Sequence, residues 1–162
     1  MANDGGLMAA LEQWFADTLA ALTNDGELVF RTAEVWKHQI AATASGMEAF
    51  DRYEPFAFIS YQSADAAREG SYDLRQVLEF SILIGVGSKA DGIARIGDDN
   101  NLGTSKIRDL VIAALDCQHP GGSFGCDEIY YTGEIEVFDA PKRHAIEMHF
   151  ETSEITVSKI PV

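Results

Sequence analysis

One run of two-residue periodicity limits what this chain can fold into more than any other stretch. In Tyr72–Val86, residues Leu74, Leu78, Phe80, Ile82, Ile84 and Val86 recur on one side, interrupted at that period only by Gln76, while Arg75, Glu79 and Ser81 take the other. The spacing predicts a single long strand with a core face and a wetter face. At about 3.3 Å per residue it reaches about 45 Å, where an ordinary strand has about five or six residues. One end is therefore expected to run past a compact body and to meet something outside the monomer.

The rest of the chain supplies one ordinary core. With 162 residues, 46% of them apolar and 23% charged, it reads as a single domain able to bury about 70% of its unfolded surface. Lys and Arg total 12 against 26 Asp and Glu, a formal net charge of −14. Such a surface repels phosphate backbones and anionic lipid, which argues against attractive binding of nucleic acid or membrane. Met1–Gly6 places no basic region ahead of an apolar run, and Leu110–Leu115 is far too short for a bilayer, so a protein made and kept in a cytoplasm is expected. In that reducing compartment the two cysteines, Cys117 and Cys126, are expected to be free thiols.

Read in order, the chain opens with an amphipathic helix in which Leu7, Met8, Leu11, Trp14, Phe15, Leu19 and Leu22 recur at helical spacing. Asn3 or Asp4 can cap it, and the Asn24-Asp25-Gly26 turn ends it. Leu28–Trp36 is rich in β-branched and aromatic residues and reads as a first strand; His38–Ala44 favours no element. A short helical turn, Ser45–Tyr53, points Met47 and Phe50 inward and leads through Pro55 to a strand at Phe56–Tyr61. Gln62–Ser71 reads as a loop, and the long strand follows. Gly87–Asn101, with three glycines and many side chains suited to local backbone bonding, reads as an exposed loop. A second helix is predicted from about Gly103 to Gln118, with Ile107, Leu110, Val111, Ala114 and Leu115 on the face that covers the sheet.

After a glycine-rich turn at His119–Cys126 comes a closing hairpin. In Ile129–Phe138 the alternation sets Ile129, Tyr131, Ile135 and Val137 against Tyr130, Thr132, Glu134 and Glu136; in Arg143–Ile155 it sets Ile146, Met148 and Phe150 against Glu147, His149 and Glu151. A turn at Asp139–Lys142 joins them. On this reading Glu134, Glu136, Glu147 and Glu151 share one acidic face, an arrangement that disfavours the fold by a few tenths of a kcal/mol or more per opposed pair. The element order is α-β-β-β-α-β-β. It predicts an α+β two-layer sandwich: an antiparallel sheet of about five strands, mixed pairing being possible, with two main helices on one face.

No pattern of residues selects a covalent chemistry. Cys117, His119 and Cys126 with His144 or His149 offer zinc-type donors, but Cys-x-His-x6-Cys matches no common zinc module, and about one chance in ten is the weight it carries against free thiols and surface histidines. The paired carboxylates, including Asp98-Asp99 and Asp127-Glu128, are what an acidic chain yields by chance. Ser60, Ser63, Ser81 and Ser123 lie in no Gly-x-Ser-x-Gly setting, and Gly121–Gly125 lacks the lysine of a phosphate loop. Trp14, Phe15, Trp36, Phe56, Phe58 and Phe80 read as core. No cofactor, metal or catalytic residue is predicted, so the chain is not expected to be an enzyme.

The layout as a whole resembles the tail terminator class of bacteriophage proteins, and more narrowly the Mu-type minor tail protein family. The carrying features are the amphipathic opener Leu7–Leu22, the Val29–Val35 stretch, the Pro55–Ile59 strand, the long Leu74–Val86 strand and the closing Ile146–Glu151. The resemblance implies a virion structural protein that forms a homo-oligomeric ring, usually of six subunits. Such a ring caps the finished tail tube, stops its polymerisation and docks to the neck; in a contractile tail it also ends the sheath. The implied partners are further copies of the chain, the tube protein, a sheath protein and the neck or connector proteins, in the host cytoplasm during assembly and then in the virion tail. DNA would pass through the ring without specific binding, and Asp98, Asp99, Glu134, Glu136, Glu147 and Glu151 are the expected assembly or lumen-facing residues. A head-to-tail connector or tail completion protein is the neighbouring reading. A small acidic enzyme or ligand-binding domain is the reading from another class.

Overall fold

A computed structural model describes residues 6–40, 44–69, 73–121 and 124–158. The fold is α+β, with four helices and eight strands among the described residues: α1 (Gly6–Ala20), β1 (Thr23–Asn24), β2 (Glu27–Leu28), β3 (Thr32–Val35), α2 (Ala44–Tyr53), β4 (Phe56–Glu69), β5 (Asp73–Gly87), α3 (Ile93–Ile96), α4 (Thr104–Leu115), β6 (Ile129–Ala140), β7 (Arg143–Thr152) and β8 (Ile155–Ser158). Six strands make one sheet in the order β3-β4-β5-β7-β6, with β8 also on β5; β3 runs parallel to β4 and every other pairing is antiparallel. β1 and β2 form a separate small hairpin, turned by Asp25 and Gly26, both at positive φ.

The long strand is present as β5 and is the sheet's centre. Leu78, Phe80, Ile82, Ile84 and Val86 are buried on one face, as the alternation requires. Against this face pack α1 through Leu11, Phe15 and Leu19, and α4 through Ile107, Val111 and Leu115, each set spaced at i and i+4. Phe15 meets Phe80 at 5.1 Å and Phe150 at 6.2 Å between ring centroids, which joins the first helix to the two central strands. The capping expected of Asn3 or Asp4 lies outside the described residues.

The opposite face is covered at one end only. There α2 places Phe50 over Phe56, Phe58 and Ala145, a second and smaller core bordered by Trp36, Tyr53, Leu83 and Phe138. Phe56 and Phe58 alternate with Ala57 and Ile59, so β4 contributes to both cores. Gly85 makes the second core possible: a Cβ there would stand 2.1 Å from Cζ of Phe56.

Several elements depart from the sequence reading, each for a physical reason. The expected strand Leu28–Trp36 contracts to β3, because Leu28 belongs to the β1–β2 hairpin. The expected loop Gln62–Ser71 is β4 continued to Glu69. Its small and polar composition reflects exposure on both sides, since backbone pairing to β5 can hold a strand that faces no core. Gly87–Asn101 is not wholly a loop. It contains α3, whose Ala94 is buried, and it is closed by a bridge from Gly97 to Leu102; a four-residue helix is too short to leave a periodic trace. The single strand expected over Arg143–Ile155 breaks at Ser153, where the Ser153 hydroxyl accepts the backbone N–H groups of Asp127 and Glu128, and resumes as β8.

Candidate assembly surface and the acidic clusters

The outer half of the β4–β5 hairpin leaves the body of the molecule as an arm. Residues 62–68 of β4 are all exposed, while of the facing β5 residues Leu78 is buried and Leu74–Val77 are half-buried, β8 backing their other edge through Asp73–Gln76. β3 covers β4 only from Phe56 to Ile59, so among the described residues the outer edge of the arm has no strand beside it. The departure starts at the irregularity between Tyr61 and Ser63, where the strand can bend away from the core.

The helix-free part of the sheet's second face carries a polar array. Ser60 and Ser81 lie 3.1 Å apart, Gln62 Nε2 donates to both, and the Ser63 hydroxyl donates to Glu79. Glu79 stands opposite Glu151 across β5 and β7, a like-charge pair that His149 relieves with Nδ1 3.3 Å from the Glu79 carboxylate. Glu147 approaches the other ring nitrogen at 3.9 Å, and that Nε2 is buried without a hydrogen-bond partner. At the β6 side of this face Ile135 and Val137 are half exposed, at 55% and 50%.

The six acidic residues singled out from the sequence fall into three separate places. Asp98 and Asp99 are exposed in the turn between α3 and α4. The Asp98 carboxylate accepts the N–H groups of Asn100 and Asn101, and these bonds lower its pKa. Both aspartates line an open cleft of about 610 Å³ with Asp25, Glu27 and Glu54. Burial pushes the Glu54 carboxyl up, against the opposing hydrogen bond from Gly87 N–H. Glu147 and Glu151 lie on the open face.

Glu134 and Glu136 do not share that face, which corrects the sequence reading. Register irregularities between Tyr131 and Gly133 and between Glu136 and Phe138 insert extra residues into β6, so the two-residue period fails there. Glu134 therefore stands opposite Met148 and Glu136 opposite Ile146, on the side of the helices, while Ile135 stands opposite Glu147 and turns outward. Glu134 is hydrogen-bonded to Arg108, which also reaches Asp109 at 2.9 Å and lies 5.7 Å from the Tyr131 ring centroid; these partners raise the guanidinium pKa further. One Glu134 oxygen, Oε2, is buried without a partner.

Glu136 belongs to a cluster that sequence reasoning missed. Its Oε2 is 2.8 Å from Nε2 of His144, a 5% exposed ring whose Nδ1 is 2.7 Å from the Thr104 hydroxyl. His144 lowers the Glu136 pKa. Asp139 faces His144 directly across the hairpin, and the ligand atoms of Glu136, Asp139 and His144 all lie within 4.8 Å of one another. The available signal was the tight turn at Pro141-Lys142, which pairs Asp139 with His144 once the hairpin closes; the bulge at Val137 that brings Glu136 to the same side left none.

The cysteine and histidine set is not assembled with His144. Cys117 donates its backbone N–H to Ile129, which pairs with Thr152, and His144 lies eight residues along β7 from there, about 26 Å in an extended strand. Cys117 is exposed and Cys126 buried, both as free thiols, and burial contributes most to raising the Cys126 pKa. Among the described residues no helix is long and apolar enough to cross a membrane. No protein-family model matches this chain, and no curated protein matches it.

Proposed function

We propose that this chain is a ring-forming subunit of a bacteriophage or prophage tail, of the tail terminator kind, which caps the tube, ends its growth and presents a second surface to the neck. The observation that carries the reading is the β4–β5 arm, an extended strip whose residues 62–68 contribute almost nothing to either core. A strand retained at this length without a core to face is suited to meeting a neighbour, since an open edge offers backbone hydrogen bonds and a repeated heterologous contact closes into a ring. The exposed Ile135 and Val137 on the far side of the same sheet supply apolar area for such a contact. Function then comes from surfaces that fit between copies, with no bond made or broken. Of the acidic residues, Glu134 and Glu136 are engaged within the subunit, which leaves Asp98 and Asp99 in the α3–α4 turn, or Glu147 and Glu151 on the open sheet face, as candidates to line a DNA passage.

Native mass measurement tests the reading. The protein should form a ring of about six copies that halts tube polymerisation when added to growing tubes. Joining Ala64 to Leu78, which face each other in the β4–β5 ladder, through an Asn-Gly turn removes the arm and should give folded monomers that no longer cap tubes. A wild-type protein that stays monomeric beside open tubes, or a ring that survives loss of the arm, overturns the proposal.

A further inference from the structure

The hydrogen bonds around His144 fix which of its ring nitrogens faces the neighbouring carboxylates. The Thr104 hydroxyl has one proton and donates it to the Ala94 carbonyl at 2.7 Å. In the 2.7 Å contact between His144 Nδ1 and the same hydroxyl, the ring nitrogen must therefore be the donor. That leaves Nε2, 2.8 Å from the Glu136 carboxylate, as the ring nitrogen placed to serve as a ligand. Asp139 adds a third donor on the exposed side, and the ligand atoms of the three residues all lie within 4.8 Å of one another.

We propose that Glu136, Asp139 and His144 hold one divalent transition-metal ion, Zn2+ by donor type, at the tip of the β6–β7 hairpin. One imidazole nitrogen and two carboxylate oxygens form a set that Zn2+ accepts, with a fourth position left for water, whereas Mg2+ and Ca2+ favour oxygen alone. Zinc–ligand distances of about 2.0–2.2 Å put neighbouring donors roughly 3 Å apart, close to the separation already present between Nε2 and Oε2. Asp139 is exposed, with its ligand atom within 4.8 Å of the other two. Thr104 fixes the ring in the tautomer that aims Nε2 at the ion, and Thr104 is itself fully buried at the start of α4. Two cations line the adjoining cavity of about 240 Å³: Arg108 is engaged by Glu134 and Asp109, and Arg95 acts on Glu136 through its charge. The ion would tie the hairpin tip to the α3–α4 corner through residues of one chain, so the site is independent of the ring reading and should fill in a monomer.

The test is calorimetric titration of chelator-treated, full-length protein with ZnCl2, with MgCl2 as the comparison. One equivalent of zinc should bind and raise the thermal midpoint, while magnesium does neither. Glu136→Gln and Asp139→Asn alter exposed side chains and should each weaken zinc binding by at least about tenfold without unfolding the protein. Cys117→Ser combined with Cys126→Ser should leave it unchanged, and absorption spectroscopy at the zinc edge should report nitrogen and oxygen neighbours without sulfur. Absence of zinc binding would overturn the proposal. Binding that depends on the cysteines and not on the carboxylates would overturn it equally.

Discussion

Gly85 illustrates how a single position can decide whether the second core exists. Any side chain there meets the Phe56 ring, whose Cζ, Cε1 and Cε2 would lie 2.1 to 2.8 Å from an added Cβ. Phe56 is held from the other side by Phe50 and Phe58, at 5.0 and 4.8 Å between centroids, so it has little room to retreat. Gly85→Ala is therefore expected to destabilise the protein by about 1–3 kcal/mol through overpacking, measurable as a lower midpoint in urea with an unchanged m-value. Gly103 is constrained by backbone: a Cβ would stand 2.3 Å from the amide nitrogen of Gly97. Neither requirement is visible in the sequence, where Gly85 only interrupts an apolar run and Gly103 only precedes a helix. Ile135 and Val137 mark the opposite failure, since their β-branched side chains read as core and a bulge two residues earlier turns Ile135 to solvent.

Among elements, α2 depends most on a specific contact outside its own apolar face. Asp51 in its last turn forms a two-pronged bond with Arg143 at the start of β7, at 2.7 and 2.6 Å. The guanidinium lowers the Asp51 pKa below its ordinary value. A carboxyl whose folded pKa is depressed adds stability that is present above its unfolded pKa near 3.8 and is lost as pH falls through the folded value. Asp51→Asn should thus lower stability near neutrality by about 0.5–1 kcal/mol, a small figure because both side chains are substantially exposed, and the two proteins should converge as pH falls through the folded value. Denaturation curves at pH 7 and pH 3 check it, and a difference that persists unchanged in acid would contradict the assignment. At this scale the sequence was legible wherever burial imposed a period: α1, α4, β5 and β7 all carry one. It was silent for the outer half of β4 and for α3, because a strand exposed on both sides and a helix of one turn impose none.

For the molecule as a whole, charge and shape pull in different directions. Each copy carries −14, so charge opposes the proposed association, which the arm and the exposed β6 residues would favour. Salt screens the first effect far more than the second. Raising NaCl from about 50 mM to about 500 mM should shift the population toward larger assemblies, read by light scattering after size separation; dissociation in salt would mean that ion pairs, not apolar and backbone contacts, hold the copies together. The two-layer α+β arrangement was readable from the order of periodic segments alone, whereas the second core under α2 was not, since the alternation of Phe56 and Phe58 with Ala57 and Ile59 reads as one apolar run.

The sharing of one β5 edge by β7 and β8 bears on when the arm becomes usable. During synthesis, residues 73–76 emerge long before 155–158, their only partner on that side among the described residues. Until β8 arrives the hairpin tip is a two-stranded ribbon, a form that is marginal in water by itself. In the proposed ring, a subunit would then present a backed arm to its neighbours only after β8 has been made and paired with β5.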